Sequence, residues 1–256
     1  MTALLHDDLV PTPSEAGATV LRLGRVGPQD LGRLMEITSV LARHGVITVA
    51  RSGGRFVLHP RRQPEKALAV ALRRSFAELG PTFVKLGQLM ASSPGLFPGF
   101  LADEFRSLLD DVPPEPVRRI RRTVERELRA PIDDLFSWFD DEPLAAASVA
   151  QVHRARLHDG TDVAVKVRRP HLRAKVDRDL RLLRLLAGAV ARMGAVGQLV
   201  NPVAIVDDLA TSMHEELDFR REARDMVRFA ANLAEFGTND RIVVPAPIEA
   251  MTTRTT

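Results

Sequence analysis

The spacing of apolar side chains predicts a series of amphipathic helices in the first half of the chain. Between residues 30 and 43, apolar side chains recur three or four positions apart, as in Leu31, Leu34 and Ile37. A further helix is expected to begin with Thr82 as its cap. The same spacing predicts helices at 65–79, 101–109, 116–128 and 131–139. Residues 1–27 read as a loose leader and 51–64 as a basic linker.

The pattern changes to alternation between residues 144 and 167. Val163, Val165 and Val167 fall on one face of a strand, and the polar Lys166 falls on the other. Asp159-Gly160 just before it is a hairpin turn signal. Long helices are predicted at about 172–194 and 202–234, and a strand is expected to start at 242–244. The chain is therefore predicted to be an α+β protein with a small antiparallel sheet.

The strand lysine is the first candidate for chemistry. Lys166 lies two positions after the small Ala164. A loop of small residues precedes the hairpin that contains this strand. Protein kinases hold ATP in this way, with the lysine on the α- and β-phosphates and a helix acid holding the lysine. The other reading is an amphipathic strand with a solvated lysine.

The helix from Thr82 carries a second candidate. Lys85, Gln88 and Ser92 form a narrow polar stripe opposite an apolar face. Such a stripe is either ordinary helix surface or faces inwards at a polar site. The apolar face is made by Phe83, Leu86, Gly87 and Met90.

An acidic segment from Glu215 to Glu222 is the third candidate. On one continuous helix, Asp218 and Glu222 would be neighbours, and two like charges there are unfavourable without a cation between them. The alternative is a solvated helix laced with ion pairs to its own arginines. His214-Glu215 hints at a zinc protease helix, but Asp218 stands where the second histidine is required.

Composition narrows these alternatives. Only four of the 36 basic residues are lysines, so a lysine in an apolar segment is expected to serve a specific chemistry. The net charge is +3 and there is no Cys, which excludes disulfides and Cys-containing zinc sites.

The amino terminus lacks the features of a signal peptide and no segment has the pattern of a membrane span, so a cytoplasmic protein is expected. The histidines show no ligand spacing and are expected to be surface or capping residues.

Together the segments resemble the UbiB/AarF family of atypical kinases. Lys85-Leu86-Gly87-Gln88 is similar to its K-x-G-Q motif, and Glu216-Leu217-Asp218 with Glu222 to its E-x-D motif and following acid. The strand lysine of Val163-Ala164-Val165-Lys166 also matches. The loop that matches the family's Ala-rich nucleotide loop comprises Ala145, Ala146, Ala147, Ser148 and Val149.

The resemblance implies an atypical kinase amino lobe at 141–256, a helical K-x-G-Q extension at 61–140, and a leader with one helix at 1–60. It implies ATP with Mg²⁺ as cofactors, and a role in isoprenoid quinone biosynthesis as an ATPase or kinase at a membrane. The nucleotide would contact Ala145–Val149, Ala164 and Lys166, beside an ion-pair site of Lys85, Gly87, Gln88, Glu216, Asp218 and Glu222. By analogy with kinases, Lys166 is expected to pair with Glu222, and Lys85 with Glu216 or Asp218.

Two of the family's motifs do not occur in this sequence. The catalytic loop H-x-D-x-H-P-G-N and the metal-binding D-F-G are missing, so no catalytic residue and no metal ligand is assigned. The carboxyl lobe is expected to be absent, and the expected partners are a nucleotide, that lobe or another protein, and a membrane surface or lipid. The alternatives are a non-catalytic, pseudokinase-like regulatory module, and a basic module that binds membrane or nucleic acid through residues 117–129. With few aromatic side chains, nucleic acid is not expected.

Overall fold

The computed structural model describes residues 27–46, 64–93, 95–108, 114–192, 201–235 and 242–256. The predicted leader at 1–27 and linker at 51–64 lie almost wholly outside these residues. Within them, helices precede and follow a three-stranded antiparallel sheet in the order β1-β2-β3. The predicted α+β class is confirmed.

Four helices form the first half of the described chain. They are α1 (Pro28–Arg43), α2 (Pro64–Leu79), α3 (Pro81–Ser92) and α4 (Gly99–Phe105). Their shared core is built on three rings, because Phe76 stacks on Phe105 at 5.1 Å and meets Phe83 edge-on at 5.6 Å. The predicted cap at Thr82 is wrong: Gly80 is the N-cap of α3, and Thr82 is buried inside its first turn.

The sheet follows two helices, α5 (Val117–Leu128) and α6 (Ile132–Leu135). Its strands are β1 (Trp138–Ala146), β2 (Ala150–Arg156) and β3 (Asp162–Arg168). The predicted helix at 131–139 is wrong beyond α6, because β1 begins at Trp138. Phe136 and Phe139 have helical spacing, yet both pack into the core below the sheet, where an extended chain suits them better.

The hairpin between β2 and β3 forms as predicted. Gly160 takes a φ of +90°, which the turn requires, and its N–H donates to the Leu157 carbonyl at 3.1 Å. Val165 and Val167 are buried against α5, while Ala164 is exposed and Lys166 half-buried. The predicted faces of β3 are confirmed.

The predicted long helix at 202–234 is two helices. After α7 (Leu172–Ala191), the chain forms α8 (Pro202–Glu216), breaks at Leu217 and Asp218, and resumes as α9 (Phe219–Glu235). Arg168 of β3 donates to the Leu217 carbonyl at 2.6 Å, and the Asp218 carboxylate accepts from the Arg220 N–H at 3.2 Å. Both bonds satisfy backbone groups at the break.

The predicted strand at 242–244 is also wrong, since the described residues from 242 onward contain a 3₁₀ turn, Glu249–Met251, and no strand. This irregular segment nevertheless lies beside β3, because the Arg168 N–H donates to the Thr255 carbonyl at 2.8 Å. A single backbone bond replaces the ladder that a fourth strand would make.

A second helical core joins the two halves of the molecule. Leu180 of α7 packs with Leu209 and Met213 of α8, and Val149 from the turn after β1 joins them. Leu86 of α3 packs against both this core and the ring cluster. The helix that carries the K-x-G-Q motif is therefore fixed against the end of α8. Among the described residues, no helix is both long and apolar enough to cross a bilayer.

Candidate functional site

The strand lysine is held by the acid that the kinase analogy assigns to it. Lys166 Nζ lies 2.8 Å from Glu222 Oε1 and 2.6 Å from Oε2, and 4.8 Å from the centre of the Phe219 ring. Both charged side chains keep more than a third of their surface exposed. The ammonium is therefore placed by the first turn of α9 and remains open to a ligand. The predicted Lys166–Glu222 pair is confirmed.

The K-x-G-Q lysine meets the same acidic segment at its other end. Lys85 Nζ lies 2.8 Å from Glu216 Oε2, one of the two partners that were predicted for it. Glu216 is the last residue of α8, where a negative charge opposes the helix dipole, so the ammonium offsets this cost. The neighbouring Leu86 is partly buried and packs against both helical cores, which fixes the direction of the lysine.

Asp218 does not fill the role that was predicted from helical spacing. The break between α8 and α9 removes its helical relation to Glu222, and its carboxylate instead accepts two bonds from the Arg220 guanidinium at 2.9 and 3.0 Å. The bond from Arg220 holds the pKa of Asp218 below its usual value, despite the opposing effect of burial. Asp218 therefore shapes the junction between the two helices, and neither lysine pairs with it.

Gly87 is required by packing. A Cβ built on Gly87 would lie 2.7 Å from Leu108 Cδ2, closer than real Cβ atoms approach, and 3.0 Å from Phe105 Cδ1, which is tighter than most such contacts. The absence of a side chain thus lets α4 and the residues after it pack directly on α3. Gln88 is half-exposed on the next position, and the Ser92 hydroxyl bonds back to the Gln88 carbonyl at 3.0 Å.

The Ala-rich segment is divided between a strand and a tight turn. Ala145 and Ala146 end β1, paired with Val152 and Gln151 of β2, and only the three residues after them form the turn. The Ala147 N–H donates to the Ala150 carbonyl at 2.8 Å and closes it. The exposed Ala147 is the side chain that the turn offers to a ligand, because Ser148 and Val149 are buried.

Two residues that the sequence did not single out hold this turn. Arg169 Nε donates to the Ala147 carbonyl at 2.8 Å, and the Arg169 N–H donates to the Val149 carbonyl at 3.0 Å. The Arg169 guanidinium also lies 3.4 Å from Glu115, just before α5. These partners are 20 to 54 positions from Arg169 along the chain, so no local pattern signals them.

A buried polar pair on β2 supports the other side of the turn. Gln151 accepts from the Glu115 N–H at 2.8 Å, and its amide nitrogen lies 2.9 Å from His153 Nε2. His153 Nδ1 faces the Asp140 carbonyl at 2.8 Å, which assigns the proton to Nδ1 and makes Nε2 the acceptor. His153 is fully buried, so the expectation of surface or capping histidines is wrong for this residue. The only sequence signal for the pair is Gln151-Val152-His153, which places the two polar side chains on one face of β2.

The Mg²⁺ that the resemblance implies finds no ligand set in the described part of the chain. No group of three or more His, Asp or Glu side chains lies close enough there to hold a metal ion. Glu216, Asp218 and Glu222 each already contact a lysine or arginine. The carboxylates of the acidic segment therefore form ion pairs with lysine and arginine side chains.

Three of the five arginines of the basic helix α5 pair with neighbouring carboxylates. Arg121 pairs with Asp141 of β1 at 2.6 Å, and Arg119 with Glu115 at 3.3 Å. Arg126 lies 3.3 Å from the adjacent Glu127. This local pairing reduces the charge that the helix can offer to a membrane or to nucleic acid.

Comparison with known proteins agrees with this geometry. Residues 107–256 match the ABC1 atypical kinase-like domain. A probable protein kinase UbiB of Aliivibrio fischeri is 34% identical over 232 residues, which are 86% of this chain and 42% of that protein. A protein of Mycobacterium tuberculosis strain H37Rv, described as uncharacterized, is 40% identical over 198 residues, or 76% of this chain and 40% of that protein.

One solved structure overlaps with the fold in part. It is the complex of the Mycobacterium tuberculosis protein Rv3197 with erythromycin, 28% identical, covering 68% of this chain and 45% of that one, with a TM-score of 0.39. A score this low supports no argument about what this chain binds.

The chain spans less than half the length of the relatives that it matches. The matched segment nevertheless includes the Ala-rich turn, the strand lysine and the acidic segment between α8 and α9. The family match and the sequence identities to these relatives together assign the chain to a family. The chain belongs to the ABC1 atypical kinase-like family, as its UbiB/AarF motifs indicated.

Proposed function

We propose that this chain is the nucleotide-binding portion of a UbiB-type atypical kinase or ATPase linked to isoprenoid quinone biosynthesis. The observation that carries the proposal is the contact of Lys166 Nζ with both carboxylate oxygens of Glu222. In protein kinases this pair presents the lysine to the α- and β-phosphates of ATP. Here the pair is formed, and both of its side chains are partly exposed.

The parts of the site divide the work of holding a nucleotide. Lys166 would contact the phosphates, and Glu222 and the Phe219 ring fix the position of its ammonium. The turn at Ala147 would cover the nucleotide, and Arg169 keeps that turn in place. The exposed Ala164 on the same face of β3 leaves room beside the lysine. The Lys85–Glu216 pair would close the site on the side of α3.

Phosphate transfer needs groups that this sequence does not supply. A catalytic base and the metal ligands of a D-F-G motif are missing, so the chain alone is proposed to bind nucleotide without turning it over. This makes a pseudokinase-like regulatory module the second candidate. The two differ in whether another polypeptide segment supplies the missing groups.

Exposed apolar side chains on α9 favour the first candidate, in which another protein segment binds beside Glu222 and supplies the missing groups. Val227 and Phe229 of α9 are both more than half exposed, and Val243 is 85% exposed. Phe229 lies seven positions after Glu222 and therefore on the same face of α9, so its exposed ring favours contact with a protein surface that also reaches Glu222. A carboxyl lobe or a partner protein covering α9 would also approach Glu222.

Calorimetric titration of the purified chain with ATP, and separately with ADP, tests the proposal. Wild type should bind, and Lys166→Met should lose at least tenfold in affinity because the phosphates lose their cation. Lys66→Met, at an exposed lysine of α2, is the matched control and should bind as wild type does. Equal affinity of wild type and Lys166→Met would refute the proposed site.

A further inference from the structure

A second cavity lies behind the Ala-rich turn, away from the two lysines of the nucleotide site. It has a volume of about 760 Å³ and is formed between α1, the α2–α3 junction and the start of α7. Neither Lys85 nor Lys166 lines it, whereas Ser148, Arg169 and Lys175 do. Its size is within the range of small-molecule sites in proteins.

The acids that line this cavity are already paired. Glu36 lies 2.7 Å from Arg33, and Glu78 lies 2.8 Å from Arg43. Glu115 lies 3.4 Å from Arg169 and 3.3 Å from Arg119. The lining carboxylates thus have cationic partners, and they do not require a cation from solution.

Two lining cations have no such partner. In the described part of the chain, no carboxylate lies within ion-pair distance of Lys175 or Arg178, and the recorded bond of Arg178 goes to the Ala174 carbonyl of its own helix. Lys175 and Arg178 are three positions apart on α7, so they share one face of that helix. The residues that line the cavity therefore include four cationic side chains against three carboxylates.

Lys175 occupies an electrostatically unfavourable position. Its Nζ lies 3.4 Å from the point that a Cβ on Gly80 would occupy, next to the N-terminus of α3. The free N–H groups of a helix start carry positive charge, as does the nearby Arg33. Burial, and then Arg33, lowers the pKa of Lys175, while Asp179 and Glu36 oppose the shift. A bound anion would relieve this repulsion.

We propose that this cavity binds a phosphate-bearing anion between Lys175 and Arg178. A lysine ammonium and a guanidinium are the side chains that proteins use for phosphate. Arg169 lines the cavity and also holds the Ala147 carbonyl, so an occupant lies against the support of the nucleotide turn. Lys166 does not line the cavity, so this proposal does not rest on nucleotide binding at Lys166. The phosphate can belong to a free metabolite or to a lipid headgroup.

Lysine NMR of the whole chain tests the proposal, because only four lysines occur in it. With ¹³C at the ε-carbons, the signals are assigned by single Lys→Met variants. Inorganic pyrophosphate is added in one series and phosphatidylglycerol vesicles in another. The Lys175 signal should move saturably with one or both probes, and its pKa should rise towards that of an ordinary lysine. Response to pyrophosphate indicates a free phosphate ligand, and response to vesicles alone indicates a headgroup.

Arg178→Gln should weaken the Lys175 response at least tenfold, while Lys66→Met should leave it unchanged. A Lys175 signal that moves no more than that of Lys66 with either probe would overturn the site, as would an unchanged response in Arg178→Gln. The Lys166 signal in the same spectra, followed on addition of ATP, reports the nucleotide site separately. Failure of one proposal is therefore distinguishable from failure of the other.

Discussion

Gly87 lies where α3 and the segment after α4 approach each other most closely, and replacing it with alanine tests whether the K-x-G-Q glycine is needed for packing. The added Cβ would lie 2.7 Å from Leu108 and 3.0 Å from Phe105, both of which are buried. Overpacking of this kind costs about 1–3 kcal/mol. Replacing glycine by alanine inside a helix stabilises the helix by about 0.5–1 kcal/mol. The expected net loss in the free energy of unfolding is about 1 kcal/mol.

Gly188→Ala is the matched control, because Gly188 also lies inside a helix but its Cβ would meet no atom within 4 Å. That variant should gain about 0.5–1 kcal/mol from helix propensity alone. Urea unfolding followed by circular dichroism measures both free energies, and equal m-values show that the comparison is sound. If Gly87→Ala is as stable as Gly188→Ala, the packing explanation of the motif glycine is wrong.

Three further predictions concern the charged residues. A double-mutant cycle of Lys85→Met and Glu216→Gln should give a coupling of only about 0.2–1 kcal/mol, because both side chains are more than a third exposed; a much larger value would show that the pair is a stability element. Asp218→Ala should cost about 1 kcal/mol through loss of the α9 cap, and Asp218→Asn less. Because the pKa of Asp218 is lowered in the folded chain, its contribution should be present above pH 4 and be lost as the pH falls through the folded pKa, which acid titration of both variants checks. Arg33→Met should lower the free energy of unfolding by about 3–5 kcal/mol, because the buried Asp179 carboxylate loses the guanidinium that lies 2.6 Å away. Thermal unfolding of the double variant with Asp179→Leu should show that most of this stability is recovered.

Local pattern was sufficient to predict some parts of the site. Strict alternation placed Lys166 opposite the buried Val165 and Val167, and the structure confirms it. The partner of Lys166 is 56 positions away, so its identification with Glu222 rested on likeness to kinases and not on spacing. The turn at Asp159-Gly160 was predictable because the conformational preference of glycine acts locally.

Other parts depend on contacts that no local pattern reveals. The break between α8 and α9 falls inside a segment with unbroken helical periodicity, and it forms where Arg168, 49 positions earlier, reaches the Leu217 carbonyl. The buried histidine on β2 has hydrogen-bond partners only because the Asp140 carbonyl and the Gln151 amide face it. In each case a tertiary hydrogen bond overrides the local preference.

The central claim, that Lys166 contacts the phosphates of a bound nucleotide, is tested most directly by an ATP acyl-phosphate probe. The lysine amine attacks the acyl carbon, ATP is released, and the acyl group remains on the lysine that was beside the phosphates. Peptide mass spectrometry then compares Lys166 with the exposed Lys66. We predict that Lys166 is labelled and that excess ATP suppresses its labelling at least tenfold. Labelling of Lys66 should be weak and should not change when ATP is added. Equal labelling of the two lysines, unaffected by ATP, would contradict it.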